Sequence, residues 1–266
     1  MLDTIFDLPA AISGPAIILS LCTFALFGLV AVRRRILPRL RVRAEDSEFS
    51  GTMVQSVMVF YGLAVALIAV GVFETYSDVS RTVSDEASEL GALYRDVSSY
   101  PEPIRPLLQQ ELRDYVQYVI HTAWPAQRRG EVARGGIEML DRFQSTLTGF
   151  EPVTEGQKLL HGEALRAYNE LLEARNLRLD AAANTGLPGA LWIVVLAGAV
   201  IGLSAAFLFR VEDARLHAML VTLLAAFMGL VIFMVVVFDR PFRGDLGLTP
   251  EPYQLIYDTV MQPGSG

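Results

Sequence analysis

Residues 53–73 read MVQSVMVFYGLAVALIAVGVF, and residues 74–103 follow as ETYSDVSRTVSDEASELGALYRDVSSYPEP. The first stretch has 21 residues and no charge. About 20 apolar residues are needed for a helix to cross a hydrocarbon core of roughly 30 Å. In lipid every backbone N–H and C=O must be paired within the segment, so the stretch predicts a helix. The second stretch changes pattern. Its apolar residues fall at Tyr76, Val79, Val83, Ala87, Leu90, Tyr94 and Val97, in steps of three and four. That is the seam of an amphipathic helix. No breaker separates Phe73 from Glu74, so one long helix is expected to leave the membrane and continue until SSYPEP stops it near Tyr100.

Three further stretches match the first. They are 14–32, 187–209 and 218–238, each without a charged residue. The segment before the first carries Asp3 and Asp7 and no basic residue. A secretory signal has a positive start, so a retained span is expected there. The spans divide the chain into a first transmembrane hairpin (1–73), an inserted region (74–186), a second hairpin (187–238) and a C-terminal tail (239–266).

The inserted region predicts three more helices. One starts near Ile104, runs through Leu108, Leu112, Tyr115, Val116 and Val119, and ends at Trp124-Pro125. A weaker one contains Ile137, Leu140, Phe143 and Leu147. The last opens at Thr154 with Gln157 three residues on, a capping box, and ends at Asn184-Thr185-Gly186. Four helices return the chain to the face it left. The expected fold is all-α: four transmembrane helices with an antiparallel helical bundle inserted between the second and third spans.

Orientation follows from the arginines. The loop after the first span holds Arg33, Arg34, Arg35, Arg39, Arg41 and Arg43, and the loop after the third holds Arg210 and Arg215. The opposite side has only Arg240 and Arg243 in its tails. Basic loops stay in the cytoplasm, so both termini and the inserted region are expected outside it, with the chain in a bacterial inner membrane. The six-arginine loop is read as a topology determinant, with anionic lipid as its other possible contact.

Several function classes lose support. The formal charge is −7, which argues against a nucleic-acid partner. The one cysteine, Cys22, excludes an intrachain disulfide and any multi-cysteine metal site. No catalytic motif is present, and no enzyme activity, cofactor or metal is expected. His121, His161 and His217 are read as ordinary helix-surface histidines. The spans hold no ionisable residue, whereas pumps and proton-coupled transporters place such groups inside the membrane. Their glycines (Gly62, Gly71, Gly189, Gly198, Gly202 and Gly229) are read as points of close helix approach.

Selectivity is then expected at the span ends. The stretch 239–244, DRPFRG, places Asp239, Arg240 and Arg243 at the exit of the fourth span, with Glu74 at the exit of the second. In a ring of copies these become rings of charge. Pro241 stops the helix and Gly244 turns the chain. The expected partners are the lipid bilayer, further copies of the same chain and small inorganic ions.

Four pieces of the sequence resemble the bestrophin-like membrane proteins of bacteria: 86–95 (EASELGALYR), the proline-rich turn 101–106, 115–125 with its Trp124-Pro125 end, and 239–244. Together they cover most of the chain after residue 50. Where that pattern carries an acidic residue before the tryptophan, this chain has Ala123. The resemblance implies kinship with bestrophins, which are pentameric anion channels with a large cytoplasmic domain. The arginine count here places the inserted region on the other side. The expected function is an oligomeric ion channel, anions favoured, with a hydrophobic pore. The alternative is a sensor or scaffold whose extracytoplasmic helices bind a ligand or partner protein.

Overall fold

The computed structural model describes residues 9–39, 44–131, 133–209, 211 and 213–262, with the side chains of 44–50 left aside. All regular structure among them is helical. The helices are α1 (Ala10–Ala31), α2 (Ala44–Val97), α3 (Ile104–Tyr118), α4 (Trp124–Arg128), α5 (Gly135–Thr148), α6 (Glu155–Asn184), α7 (Gly189–Phe207), α8 (Ala214–Asp239) and α9 (Glu251–Ile256). Single π-helical turns follow α1 (Val32–Ile36), α3 (Val119–Ala123) and α9 (Tyr257–Met261). Four helical stretches are long and apolar enough to cross a membrane: Ala10–Ile36, Gly51–Val97, Gly189–Phe207 and Ala214–Asp239. The chain is a membrane-embedded protein with four candidate spans.

The chain divides into two compact units. One comprises Met1–Glu74 and Gly186–Arg240, and the other Thr75–Thr185 and Pro241–Gly266. Helix α2 is unbroken from Ala44 to Val97, as the absence of a breaker at Phe73 implies.

The first unit is built by close approach. In lipid there is no hydrophobic drive between helices, so packing depends on small residues. A Cβ on Gly229 of α8 would lie 3.0 Å from Ile18 Cα on α1. One on Gly198 of α7 would lie 2.2 Å from the Tyr61 ring of α2, and one on Gly202 would lie 2.6 Å from Met58 Sδ. Three other span glycines differ: at Gly62, Gly71 and Gly189 a Cβ would meet nothing within 4 Å. Several polar span side chains are satisfied by backbone carbonyls. Ser20, Thr23, Ser56 and Thr222 donate to carbonyls three or four residues back, and Tyr61 donates to Val195 O at 2.8 Å. Asp213 caps α8 by accepting from the Arg215 and Leu216 amides.

His217 departs from its expected place on a helix surface. It is 4% exposed, with Nε2 hydrogen-bonded at 3.1 Å to Ala206 O in the last turn of α7. Carbonyls in a last helical turn lack intrahelical partners, and the short connection from α7 to α8 brings the imidazole to one of them.

The second unit has one continuous apolar core. Val83, Leu90 and Val97 from α2, Leu108 and Leu112 from α3, Leu140 and Phe143 from α5, and Tyr168 and Leu171 from α6 share one buried cluster. The sequence seams supply these residues at their expected spacing. The capping box of α6 is formed: Thr154 Oγ1 accepts from Gln157 N at 3.2 Å, and Gln157 Oε1 accepts from Thr154 N at 3.2 Å. Two features differ from expectation. Trp124-Pro125 does not end the helical path, because the π-helical turn of Val119–Ala123 hands over to α4, where Pro125 occupies the first turn. A first-turn proline has no intrahelical N–H bond to lose. The C-terminal stretch, expected as a separate tail, supplies Phe242, Tyr253 and Met261 to the same core.

Candidate functional site

The charged groups at the span ends do not share one environment. Asp239 is the last residue of α8, and its side chain is only 3% exposed. Its Oδ1 accepts the Leu187 N–H just before α7 begins, and Arg240 Nε lies 4.0 Å from Oδ2. The carboxylate therefore joins the end of one span to the start of another. Arg240 lies against Gly186, whose φ is +145° and where a Cβ would come within 2.8 Å of the guanidinium carbon. Only glycine fits that backbone and that approach. Glu74, in contrast, is exposed. At the α1 end of this unit, Arg33 Nη2 donates to Val211 O at 3.2 Å, so the first connection reaches the third. Arg34, Arg35 and Arg39 are exposed, and Arg41, Arg43 and Arg210 lie outside the described residues.

In the second unit the residues after Arg240 form a clamped turn. Pro241 O accepts from Leu248 N at 2.7 Å. Phe242 is 3% exposed and meets Trp124 edge-on, with centroids 5.4 Å apart. Trp124 Nε1 donates to Leu248 O at 3.2 Å. Gly244 has φ +75°, and its carbonyl accepts from Arg128 Nη2 at 3.1 Å. Arg243 lies against Gly130, where φ is +77° and a Cβ would come within 2.1 Å of Nη2. Two pieces of sequence more than a hundred residues apart, WP and DRPFRG, thus meet here through Trp124 and Phe242.

A second polar centre was not singled out from the sequence. Glu86 of α2 and Arg178 of α6 form an ion pair with side chains 0% and 1% exposed. Arg178 Nε donates to Oε2 at 2.5 Å, and Nη2 donates to Oε1 at 3.1 Å. Tyr115 of α3 donates to Oε1 at 3.0 Å. The Arg178 guanidinium also sits 5.9 Å from the Tyr253 ring centroid, within cation–π range. Burial pushes both the Tyr115 and Tyr253 phenols well above the ordinary range, so both stay protonated. Each residue lies on an apolar seam: Glu86 next to Ala87, and Arg178 one turn beyond Ala174. A charge on a seam, with an opposite charge on another seam, was the available signal.

The spans also border an apolar cavity of about 740 Å³ within the first unit, between α2 (Met58, Tyr61, Val65, Ala69) and α8 (Phe227, Phe238). No group of three or more His, Cys, Asp or Glu among the described residues is placed to hold a metal.

The shape has relatives among solved structures. Two point variants of a bacterial bestrophin homolog from Klebsiella pneumoniae superpose with TM-scores of 0.65 and 0.61, at 9% and 11% identity. The first match covers 93% of this chain and 99% of that one, the second 93% and 96%. A structure described as a membrane protein matches with a TM-score of 0.63 at 11% identity, covering 94% of this chain and 100% of that one. At such identities the likeness shows the fold. No curated protein matches the chain. The model of the bestrophin-like domain matches residues 21–253, most of the sequence, and the chain belongs to the bestrophin-like family.

Proposed function

We propose that the protein is an oligomeric ion channel, with anions favoured, whose pore is hydrophobic and whose ion preference is set at the span ends. The observation that carries this reading is the separation of charge from the spans. The candidate spans leave broad apolar faces uncovered within one chain: only 11% of the most apolar window of the first and 17% of that of the second is buried. Lipid and further copies of the chain are the natural cover for such faces. Hydrophobic constrictions can gate by dewetting, and charges at the mouth can select. Asp239 is drawn inward, held by the Leu187 amide and lying 4.0 Å from Arg240, and Arg240 and Arg243 carry the positive charge of the proposed mouth. Exposed Glu74 is the remaining acidic group of the proposed mouth.

The arginine distribution supports an inner-membrane chain with both termini outside the cytoplasm. The shared core of α2, α3, α5 and α6 supports an antiparallel bundle over 74–186 on that side. The hairpins 1–73 and 187–238 are the membrane part of this reading. Flux through liposomes carrying the purified protein tests it. Chloride and nitrate are expected to permeate ahead of sodium, and Arg240→Glu with Arg243→Glu should move that preference toward cations. Absence of conductance in every salt would sink the channel reading and leave the sensor or scaffold as its replacement.

A further inference from the structure

The apolar cavity of the first unit is a groove along two helices. Val65 and Ala69 of α2 form one wall, and Phe227 and Ile232 of α8 form the other. Helix α7 stands behind it. A Cβ on Gly202 would lie 2.6 Å from Met58 Sδ and 3.2 Å from Met228 Cε, and both methionines line the groove. At one end Phe73 and Phe238 meet edge-on, with centroids 5.5 Å apart, and tie the walls together. The open side runs past Gly62 and Ala66, both exposed, and a Cβ on Gly62 would meet nothing within 4 Å. No charged residue lines the groove. Its single hydroxyl, on Tyr61, already donates to Val195 O. A polar ligand would give up its hydration there without a partner in return.

The dimensions decide between the two apolar occupants that a membrane offers, a helix of a second copy and the chain of a lipid. From Met58 to Phe73 helix α2 rises about 22 Å, at about 1.5 Å per residue. A volume of about 740 Å³ spread over that length leaves a mean cross-section of about 34 Å². A helix with its side chains is about 10–12 Å across, a section of about 80 Å² or more, and does not enter. A helix resting on the rim would cover roughly a few hundred Å² of the groove, against about 800 Å² per partner in a stable interface. An extended hydrocarbon chain is narrow enough. The hydrocarbon of one leaflet is about 15 Å deep, half of roughly 30 Å, so the groove runs the full depth of a leaflet.

We propose that this groove holds one acyl chain of a phospholipid, taken laterally from the bilayer. Contact in a membrane is won by fit, and the groove surrounds a chain where a bare helix face touches it on one side only. The two methionines on α7 can adjust to its bends. The site depends on the shape of the spans and stands whether or not they conduct.

Full-length protein in phosphatidylcholine vesicles that contain phosphatidylcholine with a diazirine on one acyl chain tests this. Irradiation followed by peptide mapping in a mass spectrometer reads where the chain lies. Labelling is expected to concentrate on 58–73 and 224–238, above that of the α1 face at exposed Phe27, which reports ordinary lipid contact. Gly62→Phe fills open space within the lining and should abolish the excess. Leu63→Phe, its neighbour outside the lining, should leave the excess unchanged. If Gly62→Phe does not fold, Ala66→Phe, exposed in the same lining, takes its place. Groove labelling no stronger than that at Phe27, or an excess that survives the filling variants, overturns the proposal. Groove peptides that are protected in vesicles and labelled only once the particle is dissociated also overturn it, and assign the groove to a second copy.

Discussion

The two units of this chain solve the same problem, packing helices, in two different ways. In the first, bare glycines and alanines bring backbones together, and no charge is placed within the spans. In the second, an apolar core surrounds a buried ion pair. The difference is physical. Lipid removes the hydrophobic drive between helices, so contact must come from fit. Water restores that drive and lets a domain carry a charged pair, provided both partners are present.

The largest expected effect tests that proviso. Arg178→Ala leaves the Glu86 carboxylate buried with Tyr115 as its remaining partner. Removing one member of a buried pair costs about 3–5 kcal/mol. Unfolding followed by circular dichroism should show a large loss of stability. Replacing Glu86 and Arg178 together by Gln and Met should recover much of it. A double variant as unstable as the single one would show that the pair acts through packing alone.

A smaller effect separates the span glycines. Gly198→Ala forces a methyl against the Tyr61 ring and should destabilise by about 1–3 kcal/mol, the range for overpacking. Gly62→Ala, with nothing within 4 Å, should be close to neutral in the isolated chain. Thermal stability in detergent compares them. If Gly62→Ala instead disrupts the assembled particle while sparing the monomer, that open face belongs to a contact between copies.

Much of this was legible in the sequence, for reasons that particular residues show. The four spans needed only length and apolarity. The seam at Val79, Val83, Leu90 and Val97 gave the outward run of α2, and Thr154 with Gln157 gave the start of α6. What could not be read was long-range pairing. Asp239 reads as an exposed charge at a helix end, yet it is withdrawn by an amide fifty-two residues away in sequence, at Leu187. Tyr253 lies in a stretch too short to show a period, and its burial depends on α6. Glu86 and Arg178 look like solvated charges unless one knows that their two seams face a common core. Gly198 and Gly62 look alike, and only the partner helix distinguishes them.

The smallest effect probes the second unit through a carboxylate that has half a partner. Glu111 Oε1 accepts from Thr146 Oγ1 at 3.1 Å, while Oε2 is buried without one. Burial raises its pKa above the ordinary carboxylate value, against the pull of Thr146 and Arg142. The folded state thus holds the proton more tightly than the unfolded chain does. Stability from this group is fully present below the unfolded pKa and is lost as pH rises through the folded one. Glu111→Gln keeps the hydrogen bond and removes the ionisation. It should match the wild type near pH 4 and be more stable at pH 7.5, by no more than about 0.5 kcal/mol for a group that is only partly buried. Melting temperatures across that range read the difference. A gap that stays constant with pH, or that favours the wild type at pH 7.5, would show that the Glu111 charge is compensated in the folded unit.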